Sequence, residues 1–359
     1  MASPERPSPS ARWASLALLW VLLTVACAGN ETPDPTHTPT PNLLLVNLPA
    51  DEAPHTFATE WWYFNAHLQT KDQEQYALHY VVFQVASRQH GLVLHAGQAA
   101  VADPQAGRYI IGERIAGPKS ASAGGTPGFH LRVGEWLMEG ADGEYRLRAD
   151  LSETSFDLDL WDTGQVLFHG GNGLVDFGEA GMSYYYSRPR LTVAGTLNVN
   201  GVSKEVTGLA WLDKQWGDFE PLSIAWDWAS VQLDSGLDLM LTKVVDAEGG
   251  LVKAYGTLGR ADGTFVHLSE GDFTFLPRPG ETWESPRTGA VYPTEWEVTV
   301  PKYGVNVVLE PLLRDSEYVS NTLGVVYWEA GVSVSGTQAG MAVSGQGFVE
   351  LKGRTRRSE

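Results

Sequence analysis

One cysteine, Cys27, occurs in 359 residues, so no disulfide can form within the chain. Positive charge is also scarce. Against 43 Asp and Glu stand 25 Lys and Arg, a net charge of -18. That balance excludes a phosphate-backbone partner, because nucleic-acid binders concentrate basic residues. Four catalytic signatures are missing: the G-x-S-x-G elbow, the P-loop, H-E-x-x-H and C-x-x-C. His55, His67, His79, His95, His130, His169 and His267 are scattered without ligand spacing, so each is read as individually hydrogen-bonded and no metal centre is expected. Beyond the N-terminal leader no long segment repeats with a period of 3.6, which removes helical bundles from consideration.

The leader itself is informative. Arg6 and Arg12 precede "WASLALLWVLLTVA" (13–26), an apolar run short for a membrane-spanning helix and suited to a signal peptide. It ends at Ala26–Cys27, a lipobox-like junction. Cys27 is therefore expected to carry lipid, with more than one acyl chain, enough for stable attachment. The Pro/Thr-rich 28–45 then reads as an extended linker. The expected location is outside the cytoplasm, anchored on the outer side of the cytoplasmic membrane or secreted.

From residue 46 short alternating runs take over, including "YALHYVVFQV" (76–85), "LDLMLTKVV" (237–245), "TEWEVTVP" (294–301) and "GVNVVLEPLL" (304–313). Between them lie turn signals at 141–144, 199–201, 233–236 and 261–263, all hairpin chemistry. Such a pattern over this length predicts an all-β protein of two antiparallel barrels, since closure removes exposed edges. The expected units are 46–220 and 221–353, with 354–359 a tail. An echo supports the duplication: Trp62-Tyr-Phe-Asn-Ala-His and Trp226-Asp-Trp-Ala-Ser-Val each open a hairpin.

Aromatics are abundant (Trp 13, Tyr 13, Phe 12) and gather beside carboxylates in three places. These are Glu60-Trp61-Trp62-Tyr63, then Trp211, Asp213, Trp216 and Asp218 in "GLAWLDKQWGD", and Trp226-Asp227-Trp228. Residues two apart on a strand share a face, so Trp211 and Asp213 are expected to project together. Each cluster has two readings: core tryptophan with a carboxylate capping a turn, or the wall of a site for an oily ligand.

The stretches "EWWYFNAHL", "YYYSRPRLTVAGTL…VTGLAWLDKQWGD", "WDWASVQLDSGLDLML", "YPTEWEVTVP" and "YWEAGVSVSG…GQGFVELKG" occur in this order. Together, across about 50–353, they resemble the bacterial carotenoid 1,2-hydratase (hydroxyneurosporene synthase) family and its secreted, AttH-like relatives. The resemblance implies two lipocalin-like barrels and relatives that hydrate an isolated alkene, cyclise isoprenoids or steer polyene cycloadditions. Such chemistry passes through a carbocation and needs no cofactor. It needs a carboxyl kept neutral by desolvation and electron-rich rings to stabilise the cation. Asp213 is the first choice for the acid, with Asp218 and Glu60 as alternatives. Tyr63, His67 and Tyr186 are candidates to orient water or a substrate oxygen. Trp61, Trp62, Trp211, Trp216, Trp226 and Trp228 are expected to line the ligand. One departure from the family pattern W-M-D-H-E-W-G stands out: Lys214-Gln215 replaces His-Glu. A lysine on the same face would weaken Asp213 as an acid, whereas strand neighbours face opposite ways. The rival functions are a lipophile carrier without chemistry and a hydrolase of lipophilic esters. The partner is a small hydrophobic ligand in either of the first two readings; no protein partner can be named.

Overall fold

The computed structural model describes residues 43–87, 92–117, 121–122, 127–322 and 324–353; Cys27 and the leader lie outside these. Every strand pairing is antiparallel, and among the described residues helix is limited to single 3-10 turns. Two large curled sheets hold all but two of the strands among the described residues, as the alternating pattern and turns predict. The first spans, edge to edge, Arg108–Ala116, Leu92–Asp103, Gln75–Ser87, Thr59–Thr70, Val202–Phe219, Gly181–Val199, Thr154–Asp162, Glu144–Leu151, Trp136–Ala141, Phe129–Val133 and Ala121–Ser122. Its two ends curl toward each other. Trp136 reaches back across the strands at the far edge, where a Cβ added at Gly97 would lie 3.1 Å from its ring.

The second sheet repeats the arrangement. Its order is Phe265–Ser269, Leu251–Gly259, Asp238–Val245, Ala225–Leu233, Met341–Lys352, Val326–Gln338, Val305–Pro311, Trp296–Val300 and Thr274–Pro277. In both sheets the first long strand pairs with the one that follows it and with the last. The turns supply the register. Asp142-Gly143 and Asn200-Gly201 both carry positive φ at two successive residues (50° and 90°, 51° and 79°), the geometry of a tight hairpin that Asx-Gly tolerates.

Alternation then decides which residues meet. Trp62, Phe64, Ala66 and Leu68 fill the inside of the first sheet with Leu147, Leu158 and Leu212. Val231, Leu239, Val332, Val349 and Leu351 fill the second. The intervening residues of both sheets face each other in a third apolar layer that includes Tyr63, Tyr185, Trp211, Trp228, Met240 and Phe348. Close approach between the sheets requires glycine at one point. A Cβ at Gly331 would sit 2.5 Å from that of Ala77 and 3.2 Å from His67 Cε1. A bulge at Pro189, between Arg188 and Leu191, shifts the phase of the strand Gly181–Val199. Ser187 before it and Arg190 behind it therefore both face the second sheet, where Arg190 donates to Asp238 at 3.0 Å.

Candidate active site between the two sheets

Three neighbouring strands of each sheet place one residue apiece on a single rung. In the first sheet the rung is Tyr63, Asp213 and Ser187, which are register partners across Thr59–Thr70, Val202–Phe219 and Gly181–Val199. In the second it is Trp228, Glu350 and Glu329, on the equivalent strands Ala225–Leu233, Met341–Lys352 and Val326–Gln338. The rungs face each other and cross-connect. The Tyr63 hydroxyl donates to Glu329, and the Trp228 indole donates to the Tyr185 hydroxyl at 3.1 Å.

Three carboxyl groups are thus enclosed together, and their electrostatics follow from their partners. Asp213 accepts from Tyr185, from Ser187 Oγ at 2.5 Å and from Trp211 Nε1 at 2.5 Å. All three donors are neutral. Burial outweighs them and pushes Asp213 up to about 6. Glu329 is raised by burial and by the adjacent Glu350, against the opposing Tyr63 hydrogen bond. Glu350 is raised too, by burial, although the Trp226 indole and the Lys352 charge oppose this. The pair titrates as a unit, and its first proton is held more tightly than that of an exposed carboxylate. His79 Nδ1 lies 3.3 Å from Glu329, but burial pulls its pKa down to about 3, so this contact joins neutral groups. Asn65 Nδ2 donates to Tyr63 at 3.1 Å, and Tyr109 donates to the Glu329 carbonyl at 3.1 Å. The apolar wall consists of Trp211 and Trp228 with ring centroids 6.4 Å apart, and Tyr63 edge-on to Trp228 at 5.7 Å. Partly exposed Trp61, Phe83 and Trp226 continue it outward.

The residues picked from sequence divide by strand face. Tyr63, Trp211, Trp228, Trp61 and Trp226 share the inter-sheet layer with Asp213. Glu60, Trp62, Tyr186 and Trp216 do not; they lie on the opposite face of the same strands, inside the first sheet. The expectation that Trp62 and Asp213 wall one cavity is corrected here, because adjacent strand residues point to opposite faces. The same one-residue offset undoes the alignment of Trp62 with Trp226: the first points into its own sheet and the second out of it. Asp218 is exposed and accepts from Ala58 N at 3.2 Å, away from Asp213 by strand parity. His67 ties the sheets together by donating Nε2–H to the Gly347 carbonyl at 2.8 Å, and burial lowers it to about 4.

Lys214 is fully buried, again on the inner face. It pairs with Glu60 and lies 3.8 Å from the Trp62 ring centroid and 4.9 Å from that of Trp216. The segment 43–58 runs over this end of the first sheet. Glu52 accepts from Tyr145 at 2.7 Å and Arg188 at 3.0 Å, while His55 stacks on Trp216 at 4.4 Å and contacts Glu60 at 2.8 Å. The departure from the family pattern at Lys214 therefore leaves the face of Asp213 untouched. Gln215 is on that face, in register with Trp61 and Tyr185.

Glu329, Glu350, Tyr185, Ser187 and His169 were not singled out from sequence. A signal existed for the two glutamates: each is the lone carboxylate of its strand and sits among apolar neighbours, in "VVYWEAGV" and "GFVELKG". Among the described residues no group of three or more His, Cys, Asp or Glu could hold a metal ion.

Comparison with known proteins agrees with this architecture. A family model described as AttH-like matches residues 39–354. Kievitone hydratase of Fusarium solani subsp. phaseoli is 24% identical over 213 residues, 58% of this chain and 59% of that protein. The matched stretch thus spans less than two thirds of that relative. A crystal structure from Nitrosomonas europaea, described as AttH, superposes with a TM-score of 0.77 at 30% identity, covering 87% of this chain and 97% of that one. Kievitone hydratase from Nectria haematococca superposes with a TM-score of 0.71 at 20% identity, covering 87% and 94%, a likeness of fold.

Proposed function

This chain belongs to the AttH-like family, and from that premise we propose that its inter-sheet carboxyl cluster adds water to an alkene of a hydrophobic, isoprenoid- or polyene-like substrate, or cyclises it. The observation that carries this reading is Asp213: fully enclosed, bonded only by neutral donors among the described residues, and raised to about 6. A carboxyl so placed is available as a proton donor near neutral pH. The matched stretch of a hydratase points the same way.

In the proposed reaction Asp213 gives its proton to one alkene carbon, and the positive charge develops on the other. The faces of Trp211 and Trp228 stabilise that charge where water is scarce. Water then attacks the cation, and Glu350, the more readily ionised member of the glutamate pair, accepts the proton it sheds. One proton leaves Asp213 and one arrives at the glutamate pair, so the step balances. If an internal alkene intercepts the cation before water does, the charge moves onto the ring so formed, and loss of a ring C–H proton to the glutamate pair gives a cyclic isomer. A cofactor has no part in this scheme. The partly exposed Trp61, Phe83 and Trp226 form the side from which an apolar substrate approaches. Attachment at the membrane surface through Cys27 suits a ligand that partitions into lipid. Cys27→Ser is expected to move the protein from the membrane fraction to the soluble one.

The test is incubation of purified protein with a panel of isoprenoid and polyene alkenes. Mass spectrometry then reads the gain of one water, or an isomer of unchanged mass, in the wild type and in Asp213→Asn. Conversion by the wild type and none by Asp213→Asn supports the reading. If native mass spectrometry finds a hydrophobe bound by both and no substrate changes, the protein is a carrier.

A further inference from the structure

Glu329 and Glu350 are register partners on adjacent strands, so ionising both would set like charges side by side. A pair that titrates together gives no address for the proton it shares. The hydrogen bonds around it do. His79 Nδ1 lies 3.3 Å from Glu329 Oε2, and His79 Nε2 lies 3.2 Å from the Tyr327 hydroxyl. That hydroxyl lies 3.3 Å from Gln98 Oε1, and Gln98 Nε2 lies 3.3 Å from Glu113 Oε1. Glu113 ends the line at a partly exposed position, where it also accepts from Ser320 Oγ at 2.6 Å and Thr322 N at 3.1 Å.

Strand parity builds this line. Tyr63, Val81, Gln98 and Glu113 are successive register partners, so Gln98 and Glu113 extend the rung of Tyr63 and Asp213 toward the sheet edge. His79 stands two residues before Val81, and Tyr327 two before Glu329, each on the face its neighbour presents to the gap. Donor counting then runs inward from the edge. Burial would raise Glu113, but hydrogen bonds from Ser320, Thr322 and Gln98 hold it below its ordinary value, so it only accepts. The Gln98 amide therefore turns its NH2 toward Glu113 and its carbonyl toward Tyr327. Tyr327 gives its one proton to that carbonyl, so its oxygen accepts from His79 Nε2–H. His79 is neutral, since burial pulls it down to about 3. It has no second proton, and Nδ1 presents a lone pair to Glu329 Oε2. A bare carboxylate oxygen would set lone pair against lone pair there; a protonated one donates.

We propose that the proton of the glutamate pair resides on Glu329 Oε2, directed at His79 Nδ1, and that His79 is the positioning residue that keeps it there and leaves Glu350 as the base. The base assignment rests on the hydration reading; the proton's address does not. Glu329 Oε1 is committed as well, to the Tyr63 hydroxyl, which accepts in turn from Asn65 at 3.1 Å. Burial raises Glu350 too, but the Trp226 indole and the Lys352 charge favour its anion, and neither acts on Glu329. Tyr63, Tyr109 and Tyr327, the remaining titratable groups around Glu329, are raised by burial and stay neutral.

The test reads the resting protein, without substrate. At pH about 8, about one unit above the Glu350 value of about 7, a buried glutamic acid is expected to keep its infrared C=O stretch. Difference spectra are expected to assign that band to Glu329: lost in Glu329→Gln, present in Glu350→Gln. In His79→Phe the band is expected to move to higher wavenumber, because donation to a nitrogen ends. The 15N signals of labelled His79, recognised by their response to Glu329→Gln, are expected to show a proton on Nε2 and none on Nδ1. A proton on Nδ1, the absence of any such band, or a band that vanishes with Glu350→Gln and survives Glu329→Gln would overturn the assignment. A band that His79→Phe leaves unmoved would overturn the role of His79. If His79→Phe fails to fold, the two glutamine variants and the histidine signals decide between the same outcomes. Glutamine reproduces a protonated Glu329, its NH2 donating to Nδ1 and its oxygen accepting from Tyr63. Turnover separates this claim from the hydration reading. An Asp213→Asn that still converts alkenes, with the Glu329 band in place, removes the acid and keeps the proton's address; an inactive Asp213→Asn with the proton on Glu350 does the reverse.

Discussion

Glu60 and Asp213 are both buried carboxylates on adjacent strands of the first sheet, yet their pKa values move in opposite directions. For Glu60 burial is the largest influence and pushes upward, but the Lys214 charge and the His55 contacts overcome it and the pKa falls. For Asp213 burial again acts upward, and only neutral hydrogen bonds oppose it. Burial by itself therefore does not make an acid. What decides is whether the fold delivers a cation to the same side of the strand. Lys214 follows Asp213 directly in sequence and serves Glu60, because strand parity sends the two side chains to opposite faces. One strand thus builds an ion pair on its inner face and places a carboxyl of raised pKa on its outer one.

The largest expected effect breaks the first half of that comparison. Lys214→Met strands Glu60 without its cation and is expected to cost about 3–5 kcal/mol in urea denaturation, while Glu60→Gln combined with Lys214→Met recovers most of it. Trp62→Ala, on the same inner face, is expected to cost about 3–5 kcal/mol through the cavity it leaves, with ligand affinity unchanged in the molecules that remain folded. Trp228→Ala on the outer face is expected to weaken ligand binding, read by tryptophan fluorescence titration.

Asp213→Asn sharpens the other half, and the sign is unusual for a buried polar substitution. A carboxyl raised from 3.8 to about 6 binds more protons folded than unfolded between those values, so its contribution to stability declines as pH rises through that window. At neutral pH the variant, which carries no charge to bury, is expected to be more stable by about 1–3 kcal/mol, and the advantage to vanish below about pH 4. Melting curves across pH check this. In the wild type kcat/KM is expected to fall as pH rises above about 6, as the acid ionises. The smallest effect belongs to Asp218→Asn: exposed and remote from Asp213, it is expected to change stability by about 0.5 kcal/mol or less and leave turnover unaltered.

Fold was more legible than site. Asx-Gly turns and alternating runs define hairpins locally, so the two-barrel architecture follows from neighbours in sequence. The shared face of Trp211 and Asp213 was legible for the same reason, and the indole does donate to the carboxyl. What sequence cannot supply is the partner across the gap. Tyr63 and Glu329 are 266 positions apart, and nothing near either announces the other. The Pro189 bulge hid Ser187 further. It changes the phase of its strand midway, so alternation counted through it assigns one half to the wrong face. His169 is individually hydrogen-bonded, as its scattered spacing implies, but its partners Ser187 and Thr257 depend on a loop between two short pairings, which no periodicity reveals.

The crosswise bonds between the rungs also order events in time. Local hairpins close early, whereas Tyr63 with Asp213 and Tyr63 with Glu329 must wait for distant chain to arrive, since loop-closure entropy delays contacts of large sequence separation. Until both sheets have docked, Asp213 remains hydrated and ionises like any exposed aspartate. In the proposed reaction a half-folded chain therefore lacks the protonated carboxyl that would act on an alkene. The raised pKa of Asp213 is acquired only when the last and longest contacts form.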